Sequence, residues 1–568
     1  MEVTDKENSF IDKIFSKKWI PFAIIAGLGF ILYFQAFFFN FSYLDDNNLI
    51  LGNQYFLSNF ANIFKAFLTD VFHLFNSSAF YYRPFLTISL LFDFQIGGVH
   101  PFIYHFTNVM LHLLSSCLVF VFFVKLNYKK TISFLFSIIF LVHPVLTQAV
   151  AWIPGRNDSL LAVFVLLSSI FFIKYLKEEK IGNLVWSLIF LGSSLFTKES
   201  GIFIIPILFF YLYFIYKKEN GDKKLTFNKF YFFLWSVGVI GLWAILRHIT
   251  LAGSTPITIP SMIKSIFVNL PAVIQFTGKI FFPFNLSVLP IIQDTTFIYG
   301  IISVILLTAL LYFTKTKRWN YILFGFGWFF AFLLPSFIRP NSTLVADFIE
   351  HRLYVPIIGL FIVLLETDLI KKIDMKKKSV FFITGSIIIA LSVITIVHSR
   401  SFVDRLAFWE NAAKNSPHYP LAHRNLGAMD YLDGKLDSAE KEFKTALELN
   451  PEEQMAHNNL GLIYFDEGKY KESEDEYKKE LENNPYYDNA YFNLGLLYWK
   501  QNRIEEAVTS WKKAVEINPG NTDAMQTLMI YYYNIKDYTN AIPYINQLYK
   551  MGIPLSPQLL QLLKLSTI

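Results

Sequence analysis

The sequence predicts an all-α protein: a polytopic membrane helical bundle of about eleven spans, followed by an α-solenoid of helical repeats. Three observations support this prediction. The 568 residues are 54% hydrophobic, 18% aromatic and only 17% charged, whereas a soluble domain carries roughly 25% charged residues. Charge becomes dense only in the last third of the chain, where residues also recur at a fixed period. This composition excludes a disordered chain and a soluble enzyme of this length.

The two parts of the chain differ in charge. From Val397 onward there are 18 Lys and Arg against 24 Asp and Glu, whereas the preceding part holds 32 basic and 20 acidic residues. The basic residues of that part lie in short loops between apolar segments, which is typical of membrane topology, and no nucleic-acid partner is expected. The sequence therefore predicts a membrane domain over 1–398 and a soluble domain over 399–568. The single cysteine, Cys117, excludes a disulfide scaffold.

The membrane domain contains apolar segments long enough to cross a bilayer, for which about 20 residues are needed. The predicted spans are 19–39, 102–124, 131–149, 159–176, 182–198, 201–216, 230–249, 297–314, 320–338, 353–370 and 379–397. Residues 261–282 are also apolar, but a span there would reverse the side of Lys315, Lys317 and Arg318. We therefore expect 261–282 to form an interfacial or re-entrant helix.

Basic residues assign the loops to the two sides of the membrane, because short loops rich in Lys and Arg stay cytoplasmic. Such loops alternate along the chain, beginning with Lys17-Lys18 before the first span. The N-terminus is then cytoplasmic, the segment 40–101 is the first extracytoplasmic loop, and residues 399–568 are extracytoplasmic.

The tail repeats with a period of 34 residues. The recurring positions are Leu426-Gly427, Leu460-Gly461 and Leu494-Gly495; Ala439, Ser473, Ala507 and Ala541; Phe443, Tyr477, Trp511 and Ile545; and Asn450-Pro451, Asn484-Pro485 and Asn518-Pro519. This is the tetratricopeptide pattern, in which small residues let two helices cross closely. The predicted repeats are 420–453, 454–487, 488–521 and 522–555, and the degenerate fourth, with Met529 in place of glycine, is typical of a capping repeat.

An asparagine precedes each Leu-Gly pair, at Asn425, Asn459 and Asn493. These amides could form a ladder that binds the backbone of an extended peptide, as in other tetratricopeptide proteins. Asparagine is also common at this position in such repeats for structural reasons, and the sequence leaves both interpretations open.

Acidic residues predicted to lie outside the cytoplasm are few, and two of them, Asp45 and Asp46, directly follow the first span. Adjacent carboxylates repel each other, so one titrates at a higher pH or binds a cation. The alternative is a solvated turn after a helix. The next outer segment contains Tyr81-Tyr82-Arg83-Pro84 and a Phe-rich run, which favours a functional loop.

The motifs of the outer loops together resemble those of GT-C glycosyltransferases, and more specifically of the transmembrane-and-tetratricopeptide O-mannosyltransferases. The matching motifs are Asp45-Asp46, Tyr82-Arg83-Pro84, His143-Pro144-Val145, Gly155-Arg156-Asn157-Asp158, Lys198-Glu199 and Glu350-His351-Arg352-Leu353-Tyr354. They span most of the membrane domain, and the repeats agree with the resemblance. Leu146 and Gln148 depart from that family, which tends to have a polar residue and a Glu there.

The resemblance implies a polyprenyl- or dolichyl-phosphate sugar as the donor, with mannose as the sugar that the family's name suggests, and a hydroxyl acceptor outside the cytoplasm, with the repeats holding an acceptor protein. Asp45 is the expected catalytic base, supported by Asp46, which is also the candidate ligand of a divalent cation such as Mg²⁺ or Mn²⁺. The expected donor-phosphate ligands are Arg83, Arg156, Lys198, Arg352 and His351. The expected supporting residues are His143, Asp158, Glu199 and Glu350.

Several of these residues also have structural interpretations. His351 could begin a helix, Lys198-Glu199 could be an ion pair at a turn, and Asp158 could cap the next helix. His143 before Pro144 is more often a polar helix terminator than a ligand.

Two other functions stay open at this point. Some cell-surface polysaccharide polymerases or ligases also end in such repeats, but they use a long outer loop late in the chain, and here 338–352 is short. A non-catalytic membrane scaffold that recruits proteins through its repeats needs only one span, so eleven are hard to explain.

Overall fold

The computed structural model describes residues 10–72, 81–221, 226–251, 258–338 and 347–566. Over these ranges the chain forms helices and no strands, and Ile291 and Asp347 make one isolated antiparallel bridge. The chain divides into two compact units, Met1–Ser416 and Pro417–Ile568. The predicted all-α class, with apolar membrane helices followed by tetratricopeptide repeats, is confirmed.

Within the described residues, seven helices of the first unit are long and apolar enough to cross a membrane, or nine if each of two bent pairs is one span. The seven are Ile20–Phe38, Pro101–Lys125, Ile153–Glu178, Glu199–Glu219, Phe232–Thr250, Trp319–Phe337 and Lys378–Phe402. The bent pairs are Lys130–Val142 with Pro144–Ala151 and Ile259–Asn269 with Ala272–Phe281. Shorter apolar helices are Pro84–Gly97, Ile181–Thr197, Ile298–Phe313 and Pro356–Leu365.

Seven of the eleven predicted spans coincide with the seven long helices. The prediction at 131–149 coincides with the first bent pair, and those at 182–198, 297–314 and 353–370 coincide with shorter apolar helices. Residues 261–282 form most of the second pair, bent by 49° where Pro271 interrupts the chain. Proline lacks the N–H that a continuous helix needs at that point.

The bundle has a central helix and peripheral ones. Ile153–Glu178 is 78% buried over its apolar window, whereas Lys378–Phe402 is only 11% buried and exposes most of its side chains. Glycines allow the closest helix contacts: a Cβ added to Gly325 would lie 2.6 Å from the carbonyl oxygen of Gly359. The motif Arg156–Asp158 begins the central helix and is therefore buried.

Short helices complete the first unit. They include Phe10–Ile14, Gln54–Ser58, Asn62–Lys65, Glu350–Leu353, Asp368–Lys371 and Arg405–Asn415.

The second unit consists of four helix pairs and a final helix. The pairs are Pro420–Leu432 with Leu436–Leu449, Ala456–Asp466 with Tyr470–Asn483, Asp488–Lys500 with Ile504–Ile517, and Thr522–Asn534 with Tyr538–Lys550. Each repeat glycine lies against an aromatic ring, so that a Cβ at Gly461 would be 2.6 Å from Tyr477. After the degenerate fourth pair, Pro557–Ser566 packs Leu559 against the same core.

Candidate active site

Asp45 and Asp46 lie in an irregular segment just after the first span. Tyr43 in this segment has a positive φ of 57°, and a π-helical turn, Asn47–Leu51, follows the two acids. Burial raises the pKa of Asp45 to about 7, and the negative charges of Asp46 and Asp347 add to the rise, whereas Arg83 opposes it. A carboxylate with a pKa near neutrality has the property that a general base needs.

Asp46 is held by its own loop. Its Oδ2 accepts hydrogen bonds from the Ser42 backbone N–H, at 2.8 Å, and from the Ser42 hydroxyl. The indole N–H of Trp152 donates to the same hydroxyl at 3.0 Å and so orients the Ser42 side chain that binds the buried carboxylate. Burial raises the pKa of Asp46 to about 6, while the hydrogen bonds from Ser42 oppose that rise.

Arg83 acts electrostatically on Asp45 and on a second cation, Lys198. Its guanidinium stacks on the ring of Tyr81, with Cζ 4.4 Å from the centroid, and its Nη2 is 3.5 Å from Glu199 Oε2. The amide oxygen of Asn157 accepts from Nη1 at 3.2 Å, while the amide nitrogen donates to the backbone of Thr197. These contacts orient Arg83, whose charge acts on Asp45 as well as on Lys198.

Lys198 is the second cation of the candidate active site. Its ammonium lies 2.8 and 2.9 Å from the two carboxylate oxygens of Asp158. Burial lowers the pKa of Lys198, Asp158 opposes this, and the charges of Arg83 and Arg352 lower the pKa further. These interactions place Lys198, Arg83 and Arg352 in one cationic group.

His351 and Arg352 come from the single helical turn Glu350–Leu353. Arg352 donates to the backbone oxygen of Asp347 at 2.7 Å and to its carboxylate at 2.9 Å. Burial and the nearby cations hold the pKa of His351 well below its usual range, so its contact with Asp158, at 3.6 Å, is not an ion pair at neutral pH. The ring of His351 also packs on Trp152, with centroids 5.5 Å apart.

Glu350 faces the interior of the bundle. It is completely buried and pairs with Lys279 at 2.8 Å and with His398 at 3.2 Å. Burial opposes ionisation, but these partners hold the pKa of Glu350 below its usual range. The backbone N–H groups of Glu350 and His351 both donate to Gln148 Oε1, so Gln148 supports the turn that carries Glu350, His351 and Arg352.

His143 and Arg156 have structural partners. His143 accepts from the backbone N–H of Val145 at 3.3 Å and bonds the Ile280 carbonyl at 2.9 Å, as a helix terminator does. Arg156 is completely buried and pairs with Asp93 at 2.6 Å. Its Nε donates to Asn108 and its Nη2 to the Tyr104 carbonyl. Because these contacts occupy the guanidinium, we revise the phosphate contact expected of Arg156 to a structural role.

Four buried side-chain atoms of the candidate active site lack a hydrogen-bond partner among the described residues: Asp46 Oδ1, Arg83 Nε, Glu199 Oε1 and His351 Nδ1. Burying a polar atom without a partner is unfavourable. Atoms of this kind, gathered from four separate segments of the chain, are typical of a site that a ligand completes.

The cation expected at Asp46 has few ligands. In the ranges that the structure describes, no group of three or more His, Cys, Asp or Glu side chains could hold a metal ion. Asp46 offers one unpartnered oxygen, and Mg²⁺ prefers about six oxygen ligands. The residues present do not fit the expected cation, and we derive no step through it.

The asparagines of the repeats already have partners. Asn425 donates to the Leu421 carbonyl at 3.0 Å, and Asn458 connects two of the others by donating to Asn459 and accepting from Asn493. All three predicted residues are half-buried. Their role in binding a peptide stays a prediction.

The candidate active site also includes residues that the sequence did not identify as site residues, namely Ser42, Tyr81, Trp152, Asn157 and Asp347. Asp347 is one of the few acidic residues expected in the outer loops, and it lies five residues before Arg352. This short spacing is a sequence signal that could identify it as a neighbour of Arg352. Ser42 and Trp152 are 110 positions apart and carry no charge. Only the packed structure shows that they meet.

Comparison with known proteins finds similarities in both parts of the chain. Residues 88–250 match the family model described as dolichyl-phosphate-mannose-protein mannosyltransferase, and residues 428–488 and 489–521 match tetratricopeptide-repeat models. A crystal structure of MamA from Desulfovibrio magneticus RS-1 is 21% identical and covers 26% of this chain and 84% of its own, with a TM-score of 0.23.

Curated relatives are named protein O-mannosyl-transferases. TMTC2 of Homo sapiens is 29% identical over 239 residues, which cover 38% of this chain and 28% of the relative. Tmtc1 of Drosophila melanogaster is 28% identical over 179 residues, covering 31% and 21%. TMTC4 of Homo sapiens is 34% identical over 153 residues, covering 23% and 21%.

The chain thus spans between about a fifth and just over a quarter of the length of these relatives. A match to a mannosyltransferase domain precedes tetratricopeptide repeats, and apolar helices long enough to cross a membrane lie within and around the mannosyltransferase match. The chain is therefore an integral membrane protein that resembles the transmembrane-and-tetratricopeptide O-mannosyltransferases.

Proposed function

We propose that this protein is a GT-C-type glycosyltransferase that moves a sugar from a polyprenyl-phosphate donor to a hydroxyl group of a protein. The observation that carries the proposal is the environment of Asp45, a carboxylate with a pKa of about 7 on which the charge of Arg83 acts, while Arg83 also acts on Lys198 together with Arg352. A base next to a phosphate-binding group is what this reaction requires. The names of the relatives favour mannose as the sugar.

Asp45 acts as the general base. The acceptor oxygen forms a bond to the anomeric carbon of the sugar, the bond from that carbon to the phosphate oxygen breaks, and the phosphate leaves with the electron pair. The proton of the acceptor hydroxyl passes to Asp45. The phosphate is a stable anion, so no general acid is needed for its departure.

The cationic group stabilises the leaving phosphate. The donor is a phosphodiester with one negative charge, and the departing monoester carries two. Arg83, Lys198 and Arg352 therefore bind the transition state and the product more strongly than the donor, which is the condition for catalysis. In the neutral tautomer that carries its proton on Nδ1, His351 donates a further hydrogen bond to the phosphate through this unpartnered atom.

The acceptor is a serine or threonine of a protein that the tetratricopeptide repeats hold, through Asn425, Asn459 and Asn493. Following the distribution of basic loops, we place the N-terminus in the cytoplasm and the repeats outside it. The substrates are thus a lipid-linked sugar from the bilayer and a protein.

The test uses membranes that contain the full chain or its Asp45→Asn variant, incubated with radiolabelled polyprenyl-phosphate mannose. We expect label to reach protein with the wild type and transfer to fall by about 10²–10⁴-fold in the variant, the usual contribution of a general base. Equal transfer by both proteins would remove Asp45 from the mechanism. Donors with other sugars, tested in parallel, would reveal a different sugar specificity.

A further inference from the structure

Glu199, an expected supporting residue, has a position that support of Arg83 alone does not explain. Its carboxylate lies beside Arg83, with Oε2 3.5 Å from Nη2, but its other oxygen, Oε1, is buried and has no hydrogen-bond partner among the described residues. Arg83 Nε is buried and unpartnered in the same way. One acceptor and one donor, on two paired side chains, are therefore both available to a ligand.

The two unpartnered atoms, Arg83 Nε and Glu199 Oε1, would bind different chemical groups of one ligand. Arg83 Nε donates, so it suits a phosphate oxygen. Glu199 Oε1 is an oxygen of a carboxylate, which repels phosphate and accepts only from a donor such as a hydroxyl group. Because the two side chains are in contact, that hydroxyl must lie within about the width of one sugar ring from the phosphate.

Asp45 also limits the position of the sugar ring. The charge of Arg83 acts on Asp45, so the base that activates the acceptor lies near the same guanidinium. The anomeric carbon must face Asp45 for the transfer, and the phosphate must face Arg83. The remaining hydroxyl groups of the sugar then lie toward Glu199.

We propose that Glu199 is the residue that recognises the donor sugar, by accepting a hydrogen bond from one of its hydroxyl groups. This inference rests on the proposed function. In this arrangement Arg83 binds the phosphate and holds Glu199, and Asn157 and Tyr81 keep Arg83 in place.

The test compares two ligands of the purified full chain in lipid nanodiscs: polyprenyl phosphate, and polyprenyl-phosphate mannose. For Glu199→Gln we expect the affinity for the mannosylated lipid to fall by about tenfold or more, because a hydrogen bond to a charged group is lost. The affinity for polyprenyl phosphate should stay the same or rise, since Arg83 loses its counter-charge. Asn157→Ala is the matched control, and it should weaken both ligands alike by misplacing Arg83.

Donors that each lack one hydroxyl of mannose identify the group that is recognised. The wild type should bind one of these deoxy donors about tenfold more weakly than the complete donor, and Glu199→Gln should bind the two equally. If Glu199→Gln weakens both lipids in parallel, or neither, the inference is wrong and Glu199 only orients Arg83. If the wild type binds neither lipid, the proposed function itself fails.

Discussion

Lys198 and Asp158 form a contact through both carboxylate oxygens, at 2.8 and 2.9 Å from the ammonium nitrogen. Asp158 lies in the first turn of the central helix, and Lys198 directly precedes the span Glu199–Glu219. The contact therefore joins two segments that are 40 residues apart and keeps a buried ammonium charged. The charge state of Lys198 depends on Asp158, since burial, Arg83 and Arg352 all lower its pKa.

Asp158→Asn should weaken donor binding in a pH-dependent way. Without the carboxylate the pKa of Lys198 falls further, and a lysine loses its charge as the pH rises through its pKa. The KM for the lipid-linked donor should therefore rise by about tenfold, and by more at pH 8.5 than at pH 6.5. The double variant Asp158→Asn/Lys198→Arg, whose guanidinium stays charged, should lose this pH dependence. A KM for the single variant that is independent of pH would contradict the assigned role.

The rate of transfer should increase with pH on its acid side. Because Asp45 has a pKa of about 7 and must be ionised to accept a proton, kcat/KM at pH 6 should be about a tenth of its value at pH 8. The measurement is the pH profile of label transfer under donor-limited conditions. A profile that is flat between pH 6 and 8 would exclude a base with this pKa.

The variant Asp46→Asn distinguishes the role of Asp46 from that of Asp45. The negative charge of Asp46 raises the pKa of Asp45, so its removal should shift the acid limb of the profile to lower pH. The variant should lose much less transfer than Asp45→Asn, for which a fall of about 10²–10⁴-fold is expected. Ser42→Ala is the companion variant: it removes one hydrogen bond to Asp46 without removing the carboxylate. Complete loss of transfer in Asp46→Asn, with Asp45→Asn still active, would exchange the two roles.

The sequence predicted the features that repeat or follow composition. The period of 34 residues located the repeats because each glycine must face a large ring, as Gly461 faces Tyr477. The apolar segments located the helices of the bundle. The lengths of individual spans depend on local breaks, such as the bend at Pro144, and a count of apolar residues does not show them.

The site was predictable only in part, since charge pairing depends on contacts between distant segments. Arg83, Lys198 and Arg352 stood out as rare cations of the outer loops, and they do share one electrostatic environment. Arg156 has the same sequence signal, but Asp93, 63 residues earlier, occupies its guanidinium. No local pattern distinguishes a cation that awaits a ligand from one that already has a buried partner.

Close packing of two helices at Gly325 and Gly359 should make the bundle sensitive to small changes there. A Cβ at Gly325 would meet the Gly359 backbone at 2.6 Å, and backbone atoms cannot move aside without separating the helices. Gly325→Ala should lower the free energy of unfolding by about 1–3 kcal/mol. Gly385→Ala, in a span where an added Cβ meets nothing within 4 Å, is the matched control and should leave the thermal midpoint unchanged.

The asparagines of the repeats should affect the acceptor and not the donor. Asn425, Asn459 and Asn493 are half-buried and occupy the same position in the first helix of their repeats. The amide oxygen of Asn459 already accepts a hydrogen bond from Asn458. If these amides bind the acceptor backbone, replacing all three by alanine should raise the acceptor KM by about 10²-fold, since each hydrogen bond contributes about 1 kcal/mol and about 1.4 kcal/mol corresponds to a factor of ten. The donor KM should stay the same. Asn483→Ala, an exposed asparagine on a second helix, is the control for a general effect on the solenoid. An acceptor KM that does not change in the triple variant would show that these amides serve the packing of the repeats.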